Sequence, residues 1–415
     1  MKKHIVILIT CVIVAQHTCL AQERVSADNA LALAQKVNNY FMYESEPDPT
    51  ANSFVGGKSR LSNVWMRGTY YNALMNMLTI DWQQQYLDYT YQWGSYHQWR
   101  CHNDKYWDNI TNADYQCCAK AYLDMYEIYG NDSMYQKVKV NFDNQLSQNK
   151  TSYWTWIDAI HMGMPAYIHM YKITGNEVYL NFAYQSYLYT RNTEGGGLFN
   201  TQTGLWWRDK AYTDKNIKSD VKTKEGYPCY WSRGVGWVFA ALCYAMDYLE
   251  PSHEYYQQFL SDYLIMAAAI KNCQQEGGWW TTSLLVPDKY PDMEVTGSGL
   301  FLFGLSWGIN NGYLSKDDYL ATCDKAYEAL AACVHENGFV GYIQGSGSKP
   351  SDHQPVTSDT VPDFYDFGCG CWLSGVTEYI KTLRSEEAGH LCLLGPHPST
   401  GSGTTASFDR LRNHR

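Results

Sequence analysis

Hydrophobic and polar residues recur along most of this chain with the 3.6-residue period of an amphipathic α-helix. Twelve segments carry that period, and most of the connections between them are short. The pattern predicts an all-α fold of twelve helices, interrupted by long loops at residues 192–230, 275–295 and 336–363. The predicted helices span residues 30–42, 62–78, 85–99, 112–129, 133–146, 157–171, 177–191, 232–249, 253–273, 297–307, 316–335 and 364–383.

A faint internal repeat indicates how these helices are arranged. The segment Tyr126-Glu127-Ile128-Tyr129-Gly130-Asn131 is echoed 45 residues later by Tyr171-Lys172-Ile173-Thr174-Gly175-Asn176. Gly-Asn after an apolar helix end is typical of a C-cap, so each segment ends a helix. Helical hairpins that recur at a fixed period indicate a repeat architecture. Twelve helices paired as six hairpins predict a closed double ring of inner and outer helices, with an open helical solenoid as the alternative.

Two aspartates occupy equivalent positions in this repeat. Asp158 begins a predicted helix just after Trp154 and Trp156, and Asp114 begins the first helix of the preceding hairpin. Aspartate is favoured in the first turn of a helix, so both could be simple N-terminal helix acids. In a closed ring, however, both carboxylates would face one pocket. Aromatic planes beside Asp158 could form the floor of a sugar site and raise the pKa of the acid.

A third helix start carries the string Tyr230-Trp231-Ser232-Arg233-Gly234-Val235-Gly236-Trp237. Arg233 supplies a bidentate cation for a carboxylate, and Trp231 and Trp237 could stack on a sugar ring. Gly234 and Gly236 would let a ligand approach the backbone, where free amides at a helix start favour anions. The alternative is tight packing, because Gly-x-Gly alone is a weak signal.

Composition and charge restrict the class of protein. The chain has 415 residues, of which 45% are hydrophobic, 18% charged and 15% aromatic, and this composition is globular. The aromatic content suits a protein that binds flat sugar faces. A net charge of −10 without a basic stripe argues against a nucleic-acid partner. The 13 cysteines are scattered without metal-site spacing, so we expect buried thiols and no metal site.

The two ends of the chain differ from its body. Lys2, Lys3 and His4 precede a short apolar run, which predicts a signal peptide at residues 1–21 and a periplasmic or secreted protein. No later apolar run has transmembrane length. We predict one catalytic domain at residues 22–388 and an unstructured tail at 389–415.

From about residue 63 to residue 379, the chain resembles the unsaturated rhamnogalacturonyl hydrolases, glycoside hydrolase family 105, and their relatives, the unsaturated glucuronyl hydrolases. The motifs that carry the resemblance are highly specific in combination. They are Asn112-Ala113-Asp114, Tyr122-Leu123-Asp124-Met125-Tyr126, Trp156-Ile157-Asp158-Ala159, Met164-Pro165, Tyr171-Lys172-Ile173-Thr174-Gly175, Gly204-Leu205-Trp206-Trp207-Arg208-Asp209, the string from Trp231 to Trp237, Glu294-Val295-Thr296-Gly297 and Trp307-Gly308-Ile309-Asn310-Asn311-Gly312.

The resemblance implies an (α/α)6 barrel and assigns roles to individual residues. Asp158 matches the family's proton donor, Asp114 its second active-site acid, and the Arg233 to Trp237 segment holds the terminal uronate. Val235 stands where the family usually has Asn. The expected substrate-binding residues are Trp65, Arg67, Trp154, Trp156, His161, Arg208, Trp231, Arg233, Gly234, Gly236, Trp237 and Thr296, of which His161 and Arg208 stand where many members carry other residues.

The expected substrate is an oligosaccharide left by a polysaccharide lyase, with a C4=C5 double bond in its terminal uronate. The resemblance implies that Asp158 protonates C4 and that water adds at C5, so that the product opens and releases the next sugar. No metal or other cofactor is expected. Two other functions stay open at this point, a conventional two-carboxylate glycosidase on the same toroid and a non-catalytic sugar-binding protein.

Overall fold

A computed structural model describes residues 24–55, 58–102, 105–213 and 229–393, except for the side chains at 53–55, 58–59 and 389–393. Helices dominate these ranges. They are α1 (Ala27–Tyr40), α2 (Trp65–Met77), α3 (Gln84–Tyr96), α4 (Ala113–Gln116), α5 (Cys118–Tyr129), α6 (Ser133–Ser147), α7 (Asp158–Thr174), α8 (Glu177–Asn192), α9 (Ser232–Asp247), α10 (Tyr256–Asn272), α11 (Val295–Asn310), α12 (Lys316–Ala332) and α13 (Asp366–Leu393).

Six of these helices form a closed inner ring. Helix α2 packs on α5, α5 on α7, α7 on α9, α9 on α11, α11 on α13, and α13 returns to α2. The outer helices α6, α8, α10 and α12 each pack on the inner helix that precedes them in the chain, and α1 packs on α13. The two ends of the described chain therefore close the ring. The predicted (α/α)6 barrel is confirmed, and the open solenoid is excluded.

Burial explains which helices lie inside. Every residue from 232 to 246 in α9 and from 295 to 309 in α11 is buried, as expected for helices that are covered on all sides. The outer helix α10 instead buries one stripe, which includes Phe259, Tyr263, Met266 and Ile270. Its opposite face is exposed to solvent. The distribution of buried residues therefore distinguishes the inner helices α9 and α11 from the outer helix α10.

Local signals in the sequence set several helix ends. Gly130 and Gly175 terminate α5 and α7 in the left-handed conformation, with φ of 64° and 68°, so both predicted C-caps are confirmed. The single helix predicted at 112–129 is divided at Cys117 into α4 and α5. Cys117 keeps right-handed helical angles, so the two parts form an almost continuous run. Helix α10 begins at Tyr256, three residues after the predicted start.

The described connections between the helices contain little regular structure. A two-stranded antiparallel pair forms between β1 (Ser53–Val55) and β2 (Lys58–Arg60), and a second between β3 (Phe199–Asn200) and β4 (Leu205–Trp206). Neither pair was predicted from the periodicity. Each is too short to produce a clear alternating pattern.

The ends of the chain add one correction. Helix α13 continues to Leu393, so the first residues of the tail predicted at 389–415 are helical. The rest of that tail and the signal peptide predicted at 1–21 lie outside the described residues.

No helix in the described ranges combines the length and apolar character needed to cross a membrane. Ten cysteines in these ranges are buried free thiols, as predicted.

Candidate active site

A cavity opens at the end of the ring where α4, α7 and α9 begin. It brings together nine of the predicted site residues and one residue that the sequence analysis did not identify. The lining residues are Trp65, Asp114, Trp156, Asp158, Arg208, Trp231, Arg233, Gly234, Trp237 and Gly347. The expectation that Asp114 and Asp158 face one pocket from neighbouring hairpins is met, because Asp158 stands in the first turn of the inner helix α7 and Asp114 in the first turn of α4, which leads into the inner helix α5.

The two carboxylates are held in an environment that favours their protonated forms. The side chain of Asn112 accepts a 2.9 Å hydrogen bond from the amide of Asp114 and so fixes the start of α4. Burial, with the charge of Asp158 next in importance, raises the pKa of Asp114 to about 6. Burial also raises the pKa of Asp158, although Arg208 opposes that shift. A raised pKa suits an acid that must carry a proton near neutral pH.

Arg208 reaches the acids because the loop segment that carries it, just after β4, is tied to the start of α7. The amide of Ile157 donates to the carbonyl oxygen of Arg208 at 2.9 Å, and Trp156 pairs with Asp209 in an antiparallel bridge. Nη1 of Arg208 lies 2.6 Å from Oδ2 of Asp209, and Nε lies 3.6 Å from Oδ2 of Asp158. The guanidinium is therefore shared between two aspartates at the edge of the cavity.

The hydrogen bonds of Arg233 go to a loop that covers the cavity and not to the two acids. Its Nη1 and Nη2 donate to the backbone carbonyls of Gln344 and Gly345 at 2.8 and 3.1 Å. Trp231 donates through Nε1 to Oε1 of Gln344 at 2.9 Å. These bonds hold the loop at 344–347 over the cavity, and this is how Gly347 comes to line it. The position of Gly347 had no signal in the sequence apart from the length of the loop.

Tryptophan side chains form the walls. The rings of Trp65 and Trp237 meet edge to face with centroids 6.5 Å apart, and Trp65 also contacts Phe367 at 5.0 Å. Trp65 and Trp156 are partly exposed, whereas Trp231 and Trp237 are 3% and 2% exposed. Gly234 leaves space beside the acid, since a Cβ there would lie 3.6 Å from Oδ1 of Asp158. Flat apolar walls around two acids suit a sugar ring.

Two residues expected to bind substrate lie away from the cavity and stabilise the fold. Arg67 is fully buried, where its Nε lies 2.7 Å from Asp366 and its Nη2 lies 2.6 Å from Glu46. It ties α2 to α13 and closes the ring. Trp154 is also fully buried, and its ring packs into the space that Gly163 leaves open on α7. The sequence placed both near the chemistry, but their partners belong to the core.

Three more of the expected residues have structural partners instead of cavity contacts. His161 is 6% exposed and donates through Nδ1 to the carbonyl oxygen of Trp237 at 3.2 Å, and burial lowers its pKa to about 3. It lies behind the tryptophan wall. Gly236 allows close packing of α9 on Leu300, whose Cβ would lie 2.8 Å from a Cβ at that position. The hydroxyl of Thr296 donates to the buried carboxylate of Glu294 at 2.7 Å.

A second polar cluster lies towards the opposite end of the ring. Asp124, Glu127 and His169 are spaced so that they could hold a metal ion. Lys120 lies 2.8 Å from Oδ2 of Asp124, and Lys172 lies 2.9 Å from Oε1 of Glu127. Each carboxylate thus already has a cationic partner, and the cluster links α5 to α7 as a charge-balanced group.

Comparisons with known proteins agree with this arrangement. The model of Glycosyl Hydrolase Family 88 matches residues 33–383. An unsaturated 3S-rhamnoglycuronyl hydrolase of Formosa agariphila is 34% identical over 238 residues, which are 57% of this chain and 60% of that relative. A protein of the same name from Alteromonas sp. strain LOR is 27% identical over 345 residues, 78% of this chain and 79% of that relative. A solved glycosyl hydrolase family 88 structure from Bacteroides vulgatus has a TM-score of 0.75 and 29% identity, and covers 86% of this chain and 99% of its own.

A closed (α/α)6 ring with paired acids and tryptophans at one mouth is an architecture that glycoside hydrolases use. The family match covers most of the chain, so the protein belongs to Glycosyl Hydrolase Family 88. The resemblance inferred from the sequence motifs is thereby confirmed, with family 88 as the matching family model. The alternative of a non-catalytic sugar-binding protein is set aside.

Proposed function

We propose that this protein removes the terminal 4,5-unsaturated uronate from oligosaccharides that a polysaccharide lyase has produced. One observation carries the proposal. Asp158, an acid whose pKa is raised by burial, faces a tryptophan-lined cavity together with Asp114 and an arginine. Family membership and the names of the two relatives support the same activity. The N-terminal pattern supports export to a place where such oligosaccharides arise.

The proposed reaction begins at the enol ether of the substrate. Protonated Asp158 gives its proton to C4, and the positive charge that develops at C5 is shared with the ring oxygen. Water adds at C5 and returns a proton to a carboxylate, either Asp158 or Asp114. The resulting hemiketal opens at the bond between C5 and the ring oxygen, which leaves a ketone at C5. The hemiacetal formed at C1 then expels the next sugar as an alcohol.

This route demands little of the enzyme beyond proton transfer and positioning. A positioned acid or base contributes about 10²–10⁴-fold to a rate. The tryptophan walls would hold the sugar ring so that C4 lies next to Asp158, and exclusion of water strengthens the electrostatic interactions inside the cavity. A covalent intermediate on the enzyme has no place in the scheme.

The first assay follows the loss of the ultraviolet absorbance of the double bond with unsaturated disaccharides. The two relatives are named unsaturated 3S-rhamnoglycuronyl hydrolases, so the first substrate to test is an unsaturated uronate joined to a 3S-rhamnose. Unsaturated rhamnogalacturonan and glucuronate-capped fragments form the comparison set. Failure to consume the double bond in all of them would refute the proposed function.

A conventional glycosidase with the same two acids is the competing function, and it makes an opposite prediction. Such an enzyme cleaves saturated uronosides, because its carboxylates act at the anomeric carbon. The proposed enzyme leaves them intact, since they lack the enol ether that Asp158 protonates. Incubation with a saturated uronoside of the same linkage separates the two functions.

A further inference from the structure

Arg208 presents a hydrogen-bond donor that suits an anionic ligand of the cavity. It lines the cavity, and its side chain is 19% exposed. Nη1 is held by Asp209 at 2.6 Å, whereas Nε is buried, 3.6 Å from Oδ2 of Asp158, with no hydrogen-bond partner. A buried N–H without a partner is unfavourable and binds an incoming acceptor readily. The contact with Asp158 is too long to satisfy it.

Arg233 is less suited to receive the substrate carboxylate, although the sequence pointed to it. Both of its terminal nitrogens already donate to backbone carbonyls of the loop at 344–345. The rings of Trp231 and Phe367 lie 4.7 and 5.2 Å from its guanidinium carbon. A ligand could bind only the second N–H of each nitrogen without releasing the loop that carries Gly347. Arg233 therefore serves as a fixed anchor, and Arg208 is the exchangeable cation.

The charges around the cavity support the same assignment. The carboxylates of Asp114, Asp158, Asp209, Glu294 and Asp363 interact with the three cations Arg60, Arg208 and Arg233. A uronate adds a further negative charge to this cavity. The carboxylates already outnumber the cations, so the added charge favours uptake of a proton by one of the carboxylates.

We propose that Arg208 exchanges partners when substrate binds, leaving Asp158 and taking the carboxylate of the terminal uronate, so that Asp158 acquires the proton it then delivers to C4. This inference rests on the proposed function and adds to it a specificity-determining residue. A substrate without a free carboxylate would leave Arg208 in its 3.6 Å ion pair with Asp158. The proton would come from solvent during binding, before any bond of the substrate changes.

The balance of effects at Asp158 explains why such an exchange matters. Burial raises the pKa of Asp158, and the nearby charge of Arg208 works against that shift. Transfer of Arg208 to the uronate removes the opposing charge and brings a new negative charge close to Asp158. Both changes favour the protonated form. Binding of the correct substrate would thus prepare the acid.

The test measures proton uptake when a saturated methyl uronoside binds, which is not turned over under the proposed mechanism. Calorimetric titrations at pH 7 in buffers of different ionisation enthalpy give the number of protons taken up per ligand bound. The wild-type protein is expected to take up about half a proton or more with the uronoside, and almost none with the matching uronamide, because the amide cannot replace the aspartate on Arg208.

Four variants assign the effect to particular residues. Arg208→Gln is expected to bind the uronoside at least tenfold more weakly and to lose the preference for the acid over the amide. Arg208→Lys keeps the charge but lacks the planar fork, so its affinity for the uronoside and its preference for the acid should lie between those of the wild-type protein and Arg208→Gln. Asp158→Asn should still bind the uronoside but without proton uptake, whereas Asp114→Asn should retain uptake.

Several outcomes would overturn the exchange. The first is that the wild-type protein binds the uronoside without taking up a proton. The second is that Arg208→Gln or Arg208→Lys folds normally and still prefers the acid over the amide as strongly as the wild-type protein does. If Arg233→Lys loses that preference and the Arg208 variants keep it, Arg233 and not Arg208 binds the substrate carboxylate. Failure of the proposed function looks different, because unsaturated substrates would then persist even if uronosides bind with proton uptake through Arg208.

Discussion

Asp158→Asn is the perturbation that tests the proposed chemistry most directly. The amide has nearly the shape of the carboxyl group but cannot supply a proton to C4. Asp158 is the first residue of α7 and lines the cavity, so the change removes the acid without removing any large side chain. We expect kcat to fall by about 10²–10⁴-fold, which corresponds to about 2.7–5.5 kcal/mol in the activation barrier.

The stability of this variant should change little. Loss of a negative charge at a helix start costs about 0.3–1 kcal/mol. Burial disfavours the charged form of Asp158, as the raised pKa indicates, so a neutral amide at this site offsets part of that cost. The charge of Asp158 is also one cause of the raised pKa of Asp114, about 6, which should therefore fall in the variant. The pH profile of any residual activity should move in the same direction.

The assay is the consumption of the double bond of an unsaturated disaccharide at saturating concentration, with thermal unfolding measured in parallel. Asp28→Asn is the matched control, because Asp28 also lies in the first turn of a helix but is exposed and far from the cavity. The control should keep wild-type kcat. Retention of more than a tenth of the wild-type rate in Asp158→Asn, with normal folding, would remove Asp158 from the role of proton donor.

Three further predictions address the reaction and the residues that the structure reassigns. Arg67→Met should lower the free energy of unfolding by about 3–5 kcal/mol in urea titrations, because Asp366 would keep a buried charge without its partner, while KM stays near wild type. A large rise in KM with unchanged stability would indicate that Arg67 binds the substrate. Turnover in deuterium oxide should place deuterium at C4 of the product, and brief turnover in oxygen-18 water should place the label at C5; label at C1 would indicate a conventional glycosidase. His161→Gln should not change the pH dependence of kcat between about pH 5 and 9, because burial lowers the pKa of His161 to about 3 and the side chain is uncharged across that range. A shift of the pH profile in this variant would indicate that His161 takes part in proton transfer.

The architecture was predictable because its signals are local. Apolar periodicity identifies each helix, and Gly130 and Gly175 mark the ends of two inner helices within a few residues of sequence. Six hairpins with similar connections then leave few arrangements besides a closed ring or a solenoid. The division at Cys117 and the extension of α13 to Leu393 were not predictable from the same period, because apolar periodicity locates a helix more sharply than it locates its ends.

The candidate site was predictable only in part, for a related reason. Residues at the starts of inner helices meet at one mouth whatever their partners are, so Asp114 and Asp158 could be placed together. Side chains on loops have no such constraint. Trp154 and Trp156 both flank the acid, yet the packing of α7 and α8 buries the first and leaves the second at the cavity. Their different fates depend on neighbours that are distant in sequence.

The architecture also creates a conflict that the proposed mechanism must resolve. Helix starts converge at the active mouth, and their free amides and dipoles favour anions there. This favours binding of an acidic sugar by a protein whose net charge is −10. The same field favours the ionised form of Asp158, which would make it a poor acid. Burial acts in the opposite direction and prevails in the free protein, since the pKa is raised despite Arg208. An incoming carboxylate that takes Arg208 away strengthens this effect, so the anion that the mouth attracts would also favour uptake of a solvent proton by Asp158, which then protonates C4 of the substrate.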